Sequence, residues 1–190
     1  MNRILLMGPP GAGKGTQAVE IAAHFGIPAV STGAIFRSNV EDGTALGDAA
    51  RRYMDAGEYV PDEVTNAMLR DRLGRRDCAG GFLLDGYPRT LAQVAELDEI
   101  LAGADACLDA VVSLRVDAEE LIARLVRRAQ IENRADDTED VVRRRQQVYA
   151  EETAPLLAEY AARGLHVTVD GSGTVHKVSA RVLEALSVRT

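Results

Sequence analysis

Cysteine is scarce: Cys78 and Cys107 stand far apart with no CxxC partner. That excludes a disulfide framework and a thiolate metal site, and both residues read as inert packing positions. Long apolar runs are missing as well. No stretch approaches the roughly 20 residues that a bilayer crossing needs. Residues 1–7 read as a short strand-like segment and not as a signal peptide. The expected location is therefore the cytoplasm, with no membrane partner. Positive charge is in deficit, the formal net charge being -7. Proteins that neutralise a nucleic-acid backbone carry a basic surplus, so nucleic acid is not an expected partner. Lysine is almost absent, Lys14 and Lys177 being the only two, so an anionic ligand must meet locally concentrated arginines. The chain also lacks low-complexity tracts, internal repeats and any dividing linker. With 46% hydrophobic and 27% charged residues in 190, one globular domain with a substantial core remains.

What is present alternates. The apolar run from Arg3 to Met7 ends at glycines and is followed by Ala18, Ile21, Ala22 and Phe25 at helical spacing. GFLLD at 81–85 precedes TLAQVAELDEILA, and DAVVSLRV at 109–116 precedes DAEELIARLVRRA. LHVTVDG at 165–171 precedes a helix carrying Val175, Val178, Val182 and Leu186, and PAVS at 28–31 is a fifth short strand. Strands separated by helices cannot pair as hairpins, so the pattern predicts a doubly wound α/β fold with a parallel sheet. Ligands of such folds gather beyond the carboxyl ends of the strands, where the glycine loop, Ser31, Thr32, Asp85 and Asp170 all fall. Two stretches break the alternation. Residues 32–73 hold three helical segments with no strand between and predict a protruding helical flap; residues 129–137 form a polar loop flanked by arginines.

GPPGAGKGTQ at 8–17 meets the phosphate-binding pattern GxxxxGK, but Gly15 follows the lysine and the hydroxyl arrives one place late, at Thr16. Between a strand and a helix, such a loop exposes backbone N–H groups to phosphate oxygens, and the helix N-terminus adds partial positive charge. Lys14 supplies an ammonium for the transferring phosphoryl group. The usual hydroxyl after the lysine binds magnesium directly, which Gly15 cannot do. Either the metal is held through water and the nucleotide, or the loop takes no metal-nucleotide. Asp85, closing an apolar strand, is either a carboxylate that orients magnesium's water ligands or an ordinary turn aspartate.

GKGT closely resembles the variant found in adenylate kinases and their nucleoside monophosphate kinase relatives, in which the metal is held mainly through water. STGAIFR at 31–37, DAGEYVPDEV at 55–64, DGYPRTLAQ at 85–93 and RADDTEDVVRRRQQVY at 134–149 are similar to signatures of the same family, in the same order. The resemblance implies a P-loop three-layer fold with a five-stranded parallel sheet. Its parts would be a core (1–30, 61–126 and 138–190), a monophosphate-binding flap (31–60) and a short lid (127–137). It implies ATP at Gly11, Ala12, Gly13, Lys14, Gly15, Thr16, Arg124, Arg128 and Gly173. AMP would lie at Thr32, Arg37, Glu58, Tyr59, Val60, Gly86, Tyr87, Pro88, Arg89 and Gln93, with Arg37 and Arg89 on its phosphate and Gln93 on the adenine edge. Arg134 and Arg145 match residues that bridge both substrates. The implied reaction is reversible transfer from ATP to AMP giving two ADP, by a monomer, with Mg2+ carried by ATP and Asp85 acting on the metal through water. Lys14, Arg89, Arg124, Arg134 and Arg145 would be its catalytic cations.

Read from the residues alone, Thr32 also fits a turn hydroxyl or helix cap, Arg37 a solvated helix residue, and Arg145 a partner of Glu152. Arg89 follows Tyr87-Pro88 directly after a buried strand, which aims the chain at the site edge. Asp136 and Asp137 either orient the lid arginines or cap the next helix, and Asp117 with Glu120 reads as a capping box. His24, His166 and His176 share no spacing suited to metal or base chemistry. Few residues separate Arg128 from Arg134, and no cysteine lies among them, so a long zinc-bearing lid is not expected. Flap and lid should bend during turnover, since closure keeps water from the bound ATP. One departure from the family pattern is Ala34, where an acidic residue usually follows STG. A UMP/CMP kinase of the same family is the nearest rival, disfavoured by Thr32 and Gln93. A P-loop binding switch with one nucleotide site is further off.

Overall fold

β1 (Arg3–Met7) alternates between two apolar clusters, Ile4 and Leu6 facing one and Leu5 and Met7 the other. A strand buried on both faces must sit inside a parallel sheet covered by helices on both sides. The computed structural model, which describes residues 3–122, 124–125 and 138–188, has that architecture. β2 (Ala29–Ser31), β3 (Phe82–Asp85), β4 (Ala110–Arg115) and β5 (His166–Asp170) join β1 in a parallel five-stranded sheet of order β2-β3-β1-β4-β5. In β3 and β4 the same period of two sends Leu83, Ala110, Val112 and Leu114 to the first cluster, and Phe82, Leu84 and Val111 to the second.

The helices are α1 (Lys14–Phe25), α2 (Thr32–Glu41), α3 (Ala45–Asp55), α4 (Asp62–Leu73), α5 (Leu91–Gly103), α6 (Glu139–Val148), α7 (Leu156–Ala162) and α8 (Val175–Ser187), with a further helical stretch at 118–122 and 124–125. α1 and α8 cover the first face through Ala18, Ile21, Val178, Val182 and Leu186. α4, α5 and α7 cover the second through Leu69, Val94, Leu97, Leu101, Leu156 and Tyr160. Burying one such leucine stabilises the fold by about 1.5–3 kcal/mol.

The three helical segments expected in residues 32–73 are α2, α3 and α4. α2 and α3 have a small core of their own, formed by Phe36 and Ala50 with Val60. α4 faces both ways, with Leu69 in the main core and Val64 and Met68 against the flap cluster. Glu120, expected to complete a capping box with Asp117, pairs instead with Arg124 one turn on, at 2.5 Å. α6 runs into a π-type turn, Tyr149–Thr153, before α7. No helix among the described residues is long and apolar enough to cross a membrane.

β1 and β3 lie side by side, with Leu6 in register with Asp85. The helices that follow them, α1 and α5, leave to opposite faces. A crevice opens where two such neighbours part, beyond their carboxyl ends.

Candidate active site

The loop from Gly8 to Gly13 links β1 to α1. Gly13, the N-cap, is left-handed (φ 85°) and places no side-chain cap over the start of α1, where the helix N-terminus favours an anion. Lys14 Nζ donates to Gly8 O at 2.8 Å and Pro9 O at 3.1 Å, which folds the ammonium over the loop. Across the crevice, Asp85 is 9% exposed and accepts the Ser31 hydroxyl at 3.2 Å. An added Cβ on Gly15 would lie 3.8 Å from Asp85 Oδ2, at van der Waals contact, so Gly15 faces this carboxylate directly.

Arg124 ties three segments together. It donates to Ala12 O at 3.4 Å and Gly171 O at 3.0 Å, and pairs with Glu120. The loop after β5 that carries Gly173 is braced further by Arg181, which donates to Asp170 O and Ser172 O at 3.0 and 2.8 Å. The Ser172 N–H bonded to Asp170 holds that carboxyl below the ordinary range. From the far side, Gln146 Nε2 donates to Pro10 O at 2.8 Å.

The second half of the site is an open cleft between the flap and the carboxyl ends of β1 and β3. Thr32, Arg37, Glu58, Tyr59, Val60, Gly86, Tyr87, Pro88, Arg89, Gln93 and Arg145 all line it, and so does Lys14. Arg89 is aimed from two directions: Nε donates to Gly86 O at 2.7 Å, and the guanidinium lies 4.8 Å from the Tyr59 ring centroid. Tyr59 in turn shares a 2.8 Å hydrogen bond with Thr153, whose hydroxyl donates to Arg89 O at 2.9 Å. Thr32 donates to Gly86 O at 2.8 Å. Glycine is required at 86: φ is +81°, and a Cβ would lie 2.9 Å from both Arg89 Nη2 and Thr32 Oγ1. Arg37 folds back over Gly33, where an added Cβ would meet its Nη1 at 3.2 Å.

Ser31, not Thr32, caps α2, its hydroxyl accepting from Ala34 N at 3.4 Å. Ala34 thus contributes its main-chain N–H to the cap, which needs no acidic side chain. Arg128, Arg134, Asp136 and Asp137 lie outside the described residues.

Four positions that the sequence reading passed over matter here. Tyr149 and Thr153 line the cleft from the π-type turn, a feature frequent at functional sites. Burial, and then nearby Tyr59, push the Tyr149 phenol up to about 12. Its place four residues after Arg145, on one helical face, was a usable signal. Asp62 and Gln146 gave none: the first reads as an ordinary acid in a helix's first turn, the second as a solvated glutamine. Among the described residues, no group of three or more His, Cys, Asp or Glu is arranged to hold a metal ion.

A family model described as adenylate kinase matches residues 6–165. The chain belongs to the adenylate kinase family. Among curated members named adenylate kinase, one from Nocardioides sp. is 62% identical, covering 98% of this chain and 97% of its own. Those from Kocuria rhizophila and Thermobifida fusca are 56% and 54% identical, each covering 98% of this chain and 99% of its own. As a member of the adenylate kinase family this chain is a phosphotransferase.

Proposed function

We propose that this chain catalyses reversible, magnesium-dependent transfer of the terminal phosphoryl group of ATP to AMP, giving two ADP and balancing the adenine nucleotides. The observation that carries the reading is that Lys14, from the donor loop, shares one cleft with Arg37, Arg89 and Arg145. Two polyanions repel each other, and cations converging on the space between them offset that repulsion and hold the reacting atoms in line. An oxygen of the AMP phosphate attacks the γ-phosphorus, and the bond from that phosphorus to the β,γ-bridging oxygen breaks. The bridging oxygen's negative charge stays with the departing ADP. Lys14 follows the transferred group, while Arg89 and Arg37 hold the acceptor phosphate with planar forks suited to its oxygens. Arg145 spans the two nucleotides, joined by Arg134; Arg124 and Arg128 hold the donor.

The oxygen chemistry beside the donor loop suits a hard cation. Asp85 and Ser31 offer oxygens next to Gly15, too few for an all-protein cage and enough to orient the waters that magnesium keeps. Carried in by ATP, magnesium supplies neutralising charge on the phosphates. The reading extends to a monomer working in the cytoplasm on nucleotides, and not on nucleic acid or membranes.

The test measures ADP formation from ATP with AMP, UMP or CMP as acceptor. AMP should give the highest kcat/KM. Preference for UMP or CMP would overturn the substrate, and ATP consumption indifferent to every monophosphate would overturn the two-site reading in favour of a binding switch.

A further inference from the structure

Gln93 lines the acceptor cleft, is 1% exposed, and has both ends of its amide engaged. Oε1 accepts the Arg89 main-chain N–H at 2.7 Å, and Nε2 donates to Asp62 Oδ1 at 2.6 Å. A main-chain N–H can only donate, and a carboxylate can only accept. The partners themselves therefore settle which end of the amide is oxygen and which is nitrogen, an assignment otherwise ambiguous for glutamine.

Asp62 is held in its turn. Its other oxygen accepts the Thr90 hydroxyl at 2.7 Å, and that hydroxyl caps α5 by accepting the Gln93 N–H at 3.2 Å. Asp62 opens α4 and Gln93 lies in the first turn of α5, so two helix starts meet in one closed ring of hydrogen bonds. Turning the Gln93 amide over would set its oxygen against the Asp62 carboxylate and its NH2 against the Arg89 N–H. Both contacts would be repulsive, and the Gln93 side chain is too deeply buried to turn to water instead.

An amide fixed in this way still has one lone pair on Oε1 and one hydrogen on Nε2. Adenine presents a 6-amino donor beside the N1 acceptor, and matches that pair. Hypoxanthine has the same shape but presents a 6-oxo acceptor beside an N1–H donor, which sets acceptor against acceptor and donor against donor. A freely turning amide would serve either base; a locked one serves the first. We infer that Asp62 is a specificity-determining positioning residue, which by pinning Gln93 Nε2 makes the cleft accept 6-amino purine monophosphates and reject 6-oxo ones. This rests on the cleft being the AMP site. Selection comes from the opposed groups as much as from the matched ones.

The experiment compares kcat/KM for AMP and IMP, with ATP as donor, in the full chain and in Asp62→Ala, Asp62→Asn and Gln93→Ala. In Asp62→Ala the AMP-to-IMP ratio should fall at least about tenfold, through KM more than kcat. Asp62→Asn, whose carbonyl oxygen still accepts from Nε2, should recover most of it. If Asp62→Ala does not fold, Asp62→Ser stands in, being at home in a helix's first turn and too short to reach the amide. A ratio unchanged in the Asp62 variants, with both substrates slowed alike, would overturn the inference and leave Asp62 a structural residue. If Gln93→Ala also leaves the ratio unchanged, the base is not read here and the AMP assignment of the cleft fails with it. Collapse of the ratio in Gln93→Ala but not in Asp62→Ala sinks the inference alone.

Discussion

Arg89 is held in place by its protein neighbours. Gly86 O holds its Nε and the Tyr59 ring supports its face, while Thr153 fixes its own carbonyl. Under the proposed function, little side-chain freedom then remains to be lost on binding, which leaves more of the interaction for the reacting phosphate. Charge by itself would not achieve this. Arg89→Lys keeps the cation but loses the planar fork and the stacking, so kcat/KM for AMP should fall about 10²-fold while KM for ATP changes little. Steady-state kinetics with each nucleotide varied in turn measures both, and a loss under about threefold would show that the guanidinium does not contact the acceptor phosphate.

α6 acts as a crosspiece between the two halves of the site. Arg144 pairs with Glu58 of the flap turn at 2.7 Å, Gln146 reaches the donor loop at Pro10 O, and Arg145 between them lines the cleft. The flap turn and helix touch closely enough that a Cβ on Gly57 would lie 2.9 Å from Val141 O. Reversing the charge at Glu58 with Glu58→Arg sets two guanidinium groups against each other and should raise KM for AMP about two- to fivefold, the modest size expected of a half-exposed pair. Combining it with Arg144→Glu should return KM most of the way, and the effect should shrink as salt is raised. A double variant no better than Glu58→Arg would mean that the ion pair does not position the flap.

At the scale of the whole molecule, two apolar layers sandwich one sheet, and three phenols withdrawn from water set its alkaline limit, Tyr87 and Tyr160 in one of the layers and Tyr149 on the wall of the cleft. Burial is the first cause that raises the Tyr87, Tyr149 and Tyr160 phenols above their usual 10, Tyr149 to about 12. The fold therefore favours the neutral phenol, and this stabilisation is intact below pH 10 and lost as pH climbs from there through the folded values. Thermal unfolding midpoints should hold to about pH 10 and fall steeply above it, with phenolate absorbance rising in step. A midpoint unchanged to about pH 11 would contradict it.

The elements were legible in the sequence because period-two and helical apolar spacing are local consequences of backbone geometry and burial. The glycine loop was legible for a similar reason, being a short contiguous motif, whereas the arginines are scattered through the chain and were singled out through the family resemblance. The strand order β2-β3-β1-β4-β5 was not, since crossover rules give the hand of a connection but not which strand becomes a neighbour. Only that order sets Asp85 beside Leu6 and opens the crevice. Contacts between distant residues were equally hidden: Gln146 and Pro10 are 136 positions apart, and Asp62 and Gln93 are 31 apart. Composition and spacing by themselves determined that this chain has the cations for phosphate and a frame to carry them. Which cations share one cleft, and which way a glutamine amide points inside it, the tertiary structure decided, because such distances exist only once the layers have packed.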